Sequence, residues 1–401
     1  MGAFADTVTV EQLDEDPYPI YARLRRDEPV AFVPAVNSWM LTRWDDVAYA
    51  GAHPELFTAY APTSPVDRTF GSPTVITCDG PTHRELRAAI DPKFRPRAVD
   101  GYLDELVSPI ATRLLDELAP LGAAELMSAY LEPVSVLSLG SVLGLGDVDG
   151  ATLRRWFASL AQGAINYEQD PARQVVADAA VAEIRERLEP RLRRWSVEPD
   201  DTAISHMLHA ARPSGDPRTV DEVMPSLLVI LLGGMQEPGH GAGSALWALL
   251  SEPDQAAEVA ADPARHVAAV VDEGLRLIAP IGTQFRSTTE AVPLAGATIP
   301  AGAPVSLVLA SANRDERHFS EPDRFDLHRP RISHASFGFG KHFCSGHWFA
   351  RQQERIALRL LFERLDGITL DPDRPAVLRG WEFRAPAHLH VRFRPARDTG
   401  T

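Results

Sequence analysis

Residues 227 to 232, Leu-Leu-Val-Ile-Leu-Leu, are apolar on every face of a helix. A helix of that kind has no side to show to water, so the rest of the chain must enclose it. Thr219-Val-Asp-Glu222 just ahead is a capping-box pattern. A helix from there to about Leu250 would span about 45 to 50 Å at 1.5 Å per residue, enough to cross the whole molecule. Yet residues 233 to 241 read GGMQEPGHG. A glycine and an interior proline weaken a helix by about 1 and about 3 kcal/mol relative to alanine. Pro238 has no N–H to offer the carbonyl of Gly234, and its ring pushes the helix open. Gly233 and Gly234 leave space beside the opening, which predicts a polar notch with Gly234, Gln236 and Glu237 as candidates for chemistry. The alternative is a plain proline kink with Glu237 in solvent. It is disfavoured because the preceding residues offer that carboxyl no exit.

The chain has 401 residues and can bury a large core. Helical periodicity dominates between about residues 100 and 280. Helices are predicted at about 82–92, 101–119, 124–145, 150–166, 172–195 and 201–212, after a first amphipathic helix at Asp16–Arg26. Val30–Val33 and Ser38–Thr42 have the composition of a strand pair joined through Pro34 and Asn37. Residues 53–82 are rich in Pro, Gly, Ser and Thr and carry no period, so they are expected to form a long loop, functional or disordered. Short strands are expected at 292–294, 304–309 and 388–393. The predicted architecture is one mainly α domain over 1–401. Its parts are a β-rich N-terminal portion of about 1–80, a helical core of about 82–280, and β segments, a cysteine loop and a last helix over about 286–401.

A net charge of −15 argues against nucleic acid as a partner, since phosphate binding needs clustered Lys and Arg. Two cysteines, Cys78 and Cys344, are too few for a disulfide framework and suit a reducing, cytoplasmic setting. The N-terminus has no basic stretch leading into an apolar one, so no signal peptide is expected. Apolar runs fall short of the roughly 18 residues of a membrane span, so no membrane partner is expected.

The densest motif is Phe337-Gly-Phe-Gly-Lys-His-Phe-Cys-Ser-Gly346, followed by a helical stretch from His347 to Leu365. The glycines permit a tight turn that aims backbone N–H groups at the Cys344 sulfur. Those donors and the helix N-terminus are expected to lower the thiol pKa and prepare a metal ligand or a nucleophile. Zinc is the competing metal, but no C-x2-C accompanies Cys344, and only His342 and His347 are near. A cysteine hydrolase is weaker still, with no paired base in view.

The spacing F-x-x-G-x-H-x-C-x-G resembles the cytochrome P450 family, in which the cysteine is the axial ligand of haem b. Three other segments match in the same order. Glu273-Gly-Leu-Arg276 resembles the family's E-x-x-R, and Pro322-Asp-Arg-Phe-Asp-Leu-His-Arg329 resembles the segment whose arginine completes an ion triad with it. Asp79-Gly-Pro-Thr-His83-Arg-Glu-Leu-Arg87 resembles the helix that offers His and Arg to a haem propionate. The resemblance therefore implies Cys344 on iron, and His83, Arg87, Arg286 and His342 at the propionates. Phe337 and Gly338 of the loop would also contact the cofactor. It further implies a haem buried beneath the long central helix, dioxygen as co-substrate and an electron-donating reductase of flavin and iron–sulfur type. Lys341, Arg351 and Arg355 could attract that partner.

The central helix departs from the family's A-G-x-[DE]-T. Here Gln236 stands in place of the acid and Glu237 in place of the alcohol. A Gln-Glu-Pro-Gly version resembles bacterial aromatic O-demethylases acting on guaiacol-like methoxyphenols. Further likeness lies in Arg68-Thr-Phe-Gly71, Glu132-Pro-Val-Ser-Val136, Asp201-Thr-Ala-Ile-Ser-His206 and Phe383-Arg-Ala-Pro386. By position the pocket would be lined by Phe70 and Ile76, Ala164, Val229 and Gly233, Ile281 and Thr283, and Phe383, with Gln284 adding a polar contact. Ala164 falls where those relatives carry a third phenylalanine, so a small aromatic methyl ether, guaiacol-like but larger or differently substituted, is expected. Oxidation of its methoxy methyl gives a hemiacetal that collapses to a phenol and formaldehyde. The alternatives are a hydrogen peroxide-driven peroxygenase using Glu237, a haem-binding sensor without turnover and, outside the haem class, a helical interaction protein.

Overall fold

The computed structural model describes residues 3–60, 64–212, 214–330 and 333–396. Its centre is the apolar helix, which forms as Val220–Met235 with the capping box in place: the Thr219 hydroxyl accepts from the Glu222 amide, and the Glu222 carboxylate accepts from the Thr219 amide. Leu227, Leu228 and Leu231 are fully enclosed. Each is worth about 1.5–3 kcal/mol relative to exposure. The opening expected near Pro238 is wide enough to divide the element in two: the first helix ends at Gln236 and Glu237–Leu250 resumes. Pro238 sits in the first turn of the second segment, where its missing N–H costs nothing.

Around this axis pack Glu132–Leu143, Gly150–Ala164, Pro171–Val197, Pro263–Leu277 and His347–Arg364, and Leu103–Leu118 packs on the last of these. The helix expected over 124–145 begins with a strand, Ala123–Glu125, and a wide π turn, Met127–Leu131. The last of the predicted core helices shrinks to Ala203–His209. The N-terminal part is as helical as it is stranded. Val10–Glu15, Pro17–Asp27 and Trp44–Ala52 flank a five-stranded sheet in the order Val30–Val33, Ser38–Leu41, Pro304–Leu307, Gln284–Thr288, Phe57–Thr58. The stretch expected to be loop over 53–82 contains that last strand and a helix, Pro65–Phe70, capped by the Ser64 hydroxyl. Residues 61–63 of it lie outside the described residues. Among the described residues no helix is long and apolar enough to cross a membrane.

Candidate active site

The cysteine loop is built by close backbone approach. Gly338 and Gly340 have φ of +71° and +65°, which glycine adopts without strain. A Cβ on Gly340 would stand 2.2 Å from the Gly51 carbonyl oxygen. The Cys344 amide donates to the Phe337 carbonyl at 2.9 Å, and the helix His347–Arg364 begins three residues on. The Cys344 thiol faces a cavity of about 380 Å³. Although Cys344 opens onto the cavity, the surrounding protein desolvates its thiol, which raises the pKa against the Gly346 N–H that lowers it. A metal would have to displace that proton.

The broken helix forms another wall, with Val229, Gly233, Gly234 and Glu237 on the cavity. Gly233 would place a Cβ in open space. Glu237 is buried, both carboxylate oxygens lack a hydrogen-bond partner, and burial raises its pKa. Gln236 is buried too but does not border the cavity, which leaves Glu237 as the acid at the notch.

Strand Gln284–Thr288 brings Gln284 and Arg286 to the cavity, and Gln284 packs under Gly338, where a Cβ would come within 3.0 Å of its amide oxygen. Arg286 is 2% exposed with Nη2 unpartnered, and burial lowers its pKa to about 10. His342 lines the cavity and bonds Asp79 through Nε2 at 2.9 Å. His83 stacks behind it with ring centroids 4.1 Å apart. Its Nε2 is buried without a partner, and burial drives its pKa down to about 4. Arg87 reaches the cavity with Nε on Asp91 at 2.7 Å and Nη1 on the Lys341 and Phe343 carbonyls.

Of the predicted pocket residues, Ile76, Ala164, Val229, Gly233, Ile281, Thr283, Gln284 and Phe383 all border the cavity. Phe70 does not. It closes the short helix Pro65–Phe70, which packs on Gly150–Ala164 and Pro171–Val197, and the ring joins the core. The sequence also gave no sign of Glu382, which lines the cavity and accepts from Tyr167 at 2.9 Å and Thr283 at 2.5 Å. An Ile281 to Phe383 bridge between distant segments places it there. Below the site, Glu273 receives both Arg276 Nε and Nη2 at 2.8 Å, and Arg329 Nε at 2.9 Å. Arg351 and Arg355 both turn to Asp272, at 3.0 and 3.4 Å, so of the three cations expected to draw a partner only Lys341 stands exposed.

Residues 264–378 match the family model described as Cytochrome P450. The chain is 33% identical to the vitamin D(3) 25-hydroxylase of Pseudonocardia autotrophica over 87% of its length and 86% of that protein. It is 30% identical to the 6-deoxyerythronolide B hydroxylase of Saccharopolyspora erythraea over 96% and 99%. The solved structure of cytochrome P450 CYP109Q5 from Chondromyces apiculatus superposes with a TM-score of 0.85 at 29% identity, covering 98% of this chain and all of that one. The protein belongs to the cytochrome P450 family and is a P450 monooxygenase. The family's cofactor is haem b, and its members use dioxygen and redox partner proteins. The residues present fit such a group: one cavity is walled by a thiol and by the cations Arg87 and Arg286, the latter with Nη2 buried and unpartnered, as a carboxylate-bearing macrocycle requires, while His83 stands one layer back against His342 and does not border the cavity.

Proposed function

We infer that this monooxygenase removes the methyl group of an aryl methyl ether bulkier than guaiacol. The observation that carries the reading is the small-residue wall: Ala164 and Gly233 border the cavity together with Phe383, and Phe70 does not. Missing aromatic volume leaves room for a second ring substituent. Two relatives are named as hydroxylases, of vitamin D(3) and of 6-deoxyerythronolide B. Cys344 would hold the haem iron, with Arg286, His83, His342 and Arg87 at the propionates and Phe337 and Gly338 against the macrocycle. When bound, the haem supplies dioxygen activation and oxygen insertion. The chain's own part is to seat the ether against the apolar wall, exclude water and hold a proton at the Glu237 carboxyl. Ether, dioxygen, two electrons and two protons give phenol, formaldehyde and water.

Titration of the ferric holoenzyme with guaiacol and with methoxyarenes carrying a second ortho substituent, followed by formaldehyde assay, tests the reading. The bulkier ethers should give the tighter low-to-high-spin response, and a clear preference for guaiacol would overturn it. Ala164→Phe should reverse the order by about tenfold in Kd. A second reading rests on the unpartnered Glu237 carboxyl, which can take and return the proton of hydrogen peroxide. Peroxide-driven turnover unaffected by Glu237→Gln would remove it.

A further inference from the structure

Behind the notch, three titratable side chains stand in line. Glu237 Oε1 lies 3.6 Å from His240 Nδ1, and His240 Nε2 lies 3.6 Å from Glu132 Oε1. Glu132 Oε2 is 2.9 Å from Arg154 Nε, and the Arg154 side chain is 33% exposed. Neither Glu237 oxygen nor His240 Nδ1 has a hydrogen-bond partner, so the row is spaced just beyond bonding distance and a small side-chain rotation closes each gap. Two features hold the row together. Gly239 has no side chain, and a Cβ there would meet the Leu131 carbonyl oxygen at 2.9 Å and Glu132 Cα at 3.0 Å, so this glycine lets the two helices touch where Glu132 faces His240. The π turn Met127–Leu131 delivers Glu132 to that contact, and such turns commonly mark functional positions. Phe157 packs edge-on against the His240 ring at 5.7 Å and against Phe383 at 5.8 Å, joining the row to the substrate wall.

We propose that Glu132 and His240 form a proton conduit from the Arg154 surface to Glu237, resupplying the acid at the cavity. The proposal rests on the reading of Glu237 as the proton-holding group of the monooxygenase. Each transfer balances: the imidazolium gives its Nδ1 proton to the Glu237 carboxylate, and the neutral ring rotates to turn its bare nitrogen toward Glu132. It then takes a proton that Glu132 received from water at the surface. Glu132, and Glu237 whenever it is ionised, raise the ring's pKa against the opposing effect of burial. The ring therefore holds its proton at the moment the acid has given up its own.

The test uses ferric holoenzyme carrying His240→Gln or, nearer Arg154, Glu132→Gln. In the resting wild type, the infrared carboxylic C=O band that Glu237→Gln abolishes should shift rapidly in deuterium oxide. In both relay variants that exchange should slow by at least about tenfold, and product formed per reductant consumed should fall by a similar factor. Spin-state titration with methoxyarenes should remain as in wild type, which separates loss of relay from loss of fold. Wild-type exchange in both variants, or no band assignable to Glu237, overturns the conduit. Methoxyarenes that fail to bind wild type would sink the substrate reading while the exchange measurement still decides the conduit.

Discussion

Glu273 and Glu237 are both 6% exposed, yet their surroundings are opposite. Glu273 accepts from two guanidinium groups and from the Asp326 amide. Those arginines are in turn tied to the carbonyls of Asn313, Pro322, Ser320 and Arg324, so the cluster ties the helix Pro263–Leu277 to the segment ahead of the cysteine loop. Glu237 accepts nothing and has only a histidine 3.6 Å away. A fully hydrogen-bonded buried carboxylate fixes geometry, whereas an unsatisfied one keeps its proton negotiable at a cost to the fold. The contrast separates framework from chemistry in two residues of the same type.

Four measurements bear on that contrast. The largest effect is expected at the frame: Glu273→Gln strands two buried arginines, and urea denaturation of the holoenzyme should show a loss of about 3–5 kcal/mol. A loss under about 1 kcal/mol would mean the cluster is not what holds these segments. Next comes the pH dependence at His240, whose pKa is raised from 6.5 to about 9. The stability it contributes is fully present below its unfolded pKa of about 6.5 and disappears as pH rises through about 9. Thermal denaturation at stepped pH should therefore show the difference between wild type and His240→Gln shrinking across that window, by on the order of 3 kcal/mol. A flat difference would show the ring is not charged in its pocket.

The third effect has the opposite sign. Because burial raises the Glu237 pKa, its favourable contribution exists below the ordinary value of 4.5 and is lost as pH rises through the folded value. Glu237→Gln should accordingly gain about 1 kcal/mol at pH 7 over wild type, with the gain vanishing in acid. Loss of stability at neutral pH would show that the carboxyl is satisfied after all. The smallest effect is at the surface. Arg155 meets Glu183 at 2.6 and 2.7 Å, a geometry as good as that of Glu273, but the two side chains are 53% and 39% exposed. Arg155→Gln should cost about 0.5 kcal/mol in the same urea assay, so burial rather than distance would account for the difference.

What could be read in advance divides along the same lines. The cysteine loop is local: ten consecutive residues contain both the turn glycines and the sulfur, so its shape was legible. The pair Glu273 and Arg276 was legible as helical neighbours, and Arg329 through the resemblance. The break at Gln236 followed from Pro238 and the glycines, but which of Gln236 and Glu237 faces inward turns on a rotation of about 100° per residue that no periodicity in a uniformly apolar helix reports. Phe70 was misplaced because a capped turn formed where the composition suggested irregular chain. Glu132 and His240 lie about a hundred residues apart and meet only because two helices nearly touch, and Glu382 reaches the cavity through a single bridge between Ile281 and Phe383. Neither contact leaves a local signature.

Gly239 has a consequence for anyone who would redesign this enzyme. Position 239 behaves as a set screw between two rods: alanine or serine there would push the helix bearing Glu132 outward while leaving every charge, every cavity residue and the cysteine loop chemically unchanged. A graded series at this one site would tune the gap between Glu132 and His240 independently of their identity, and turn a fixed feature of the fold into a dial.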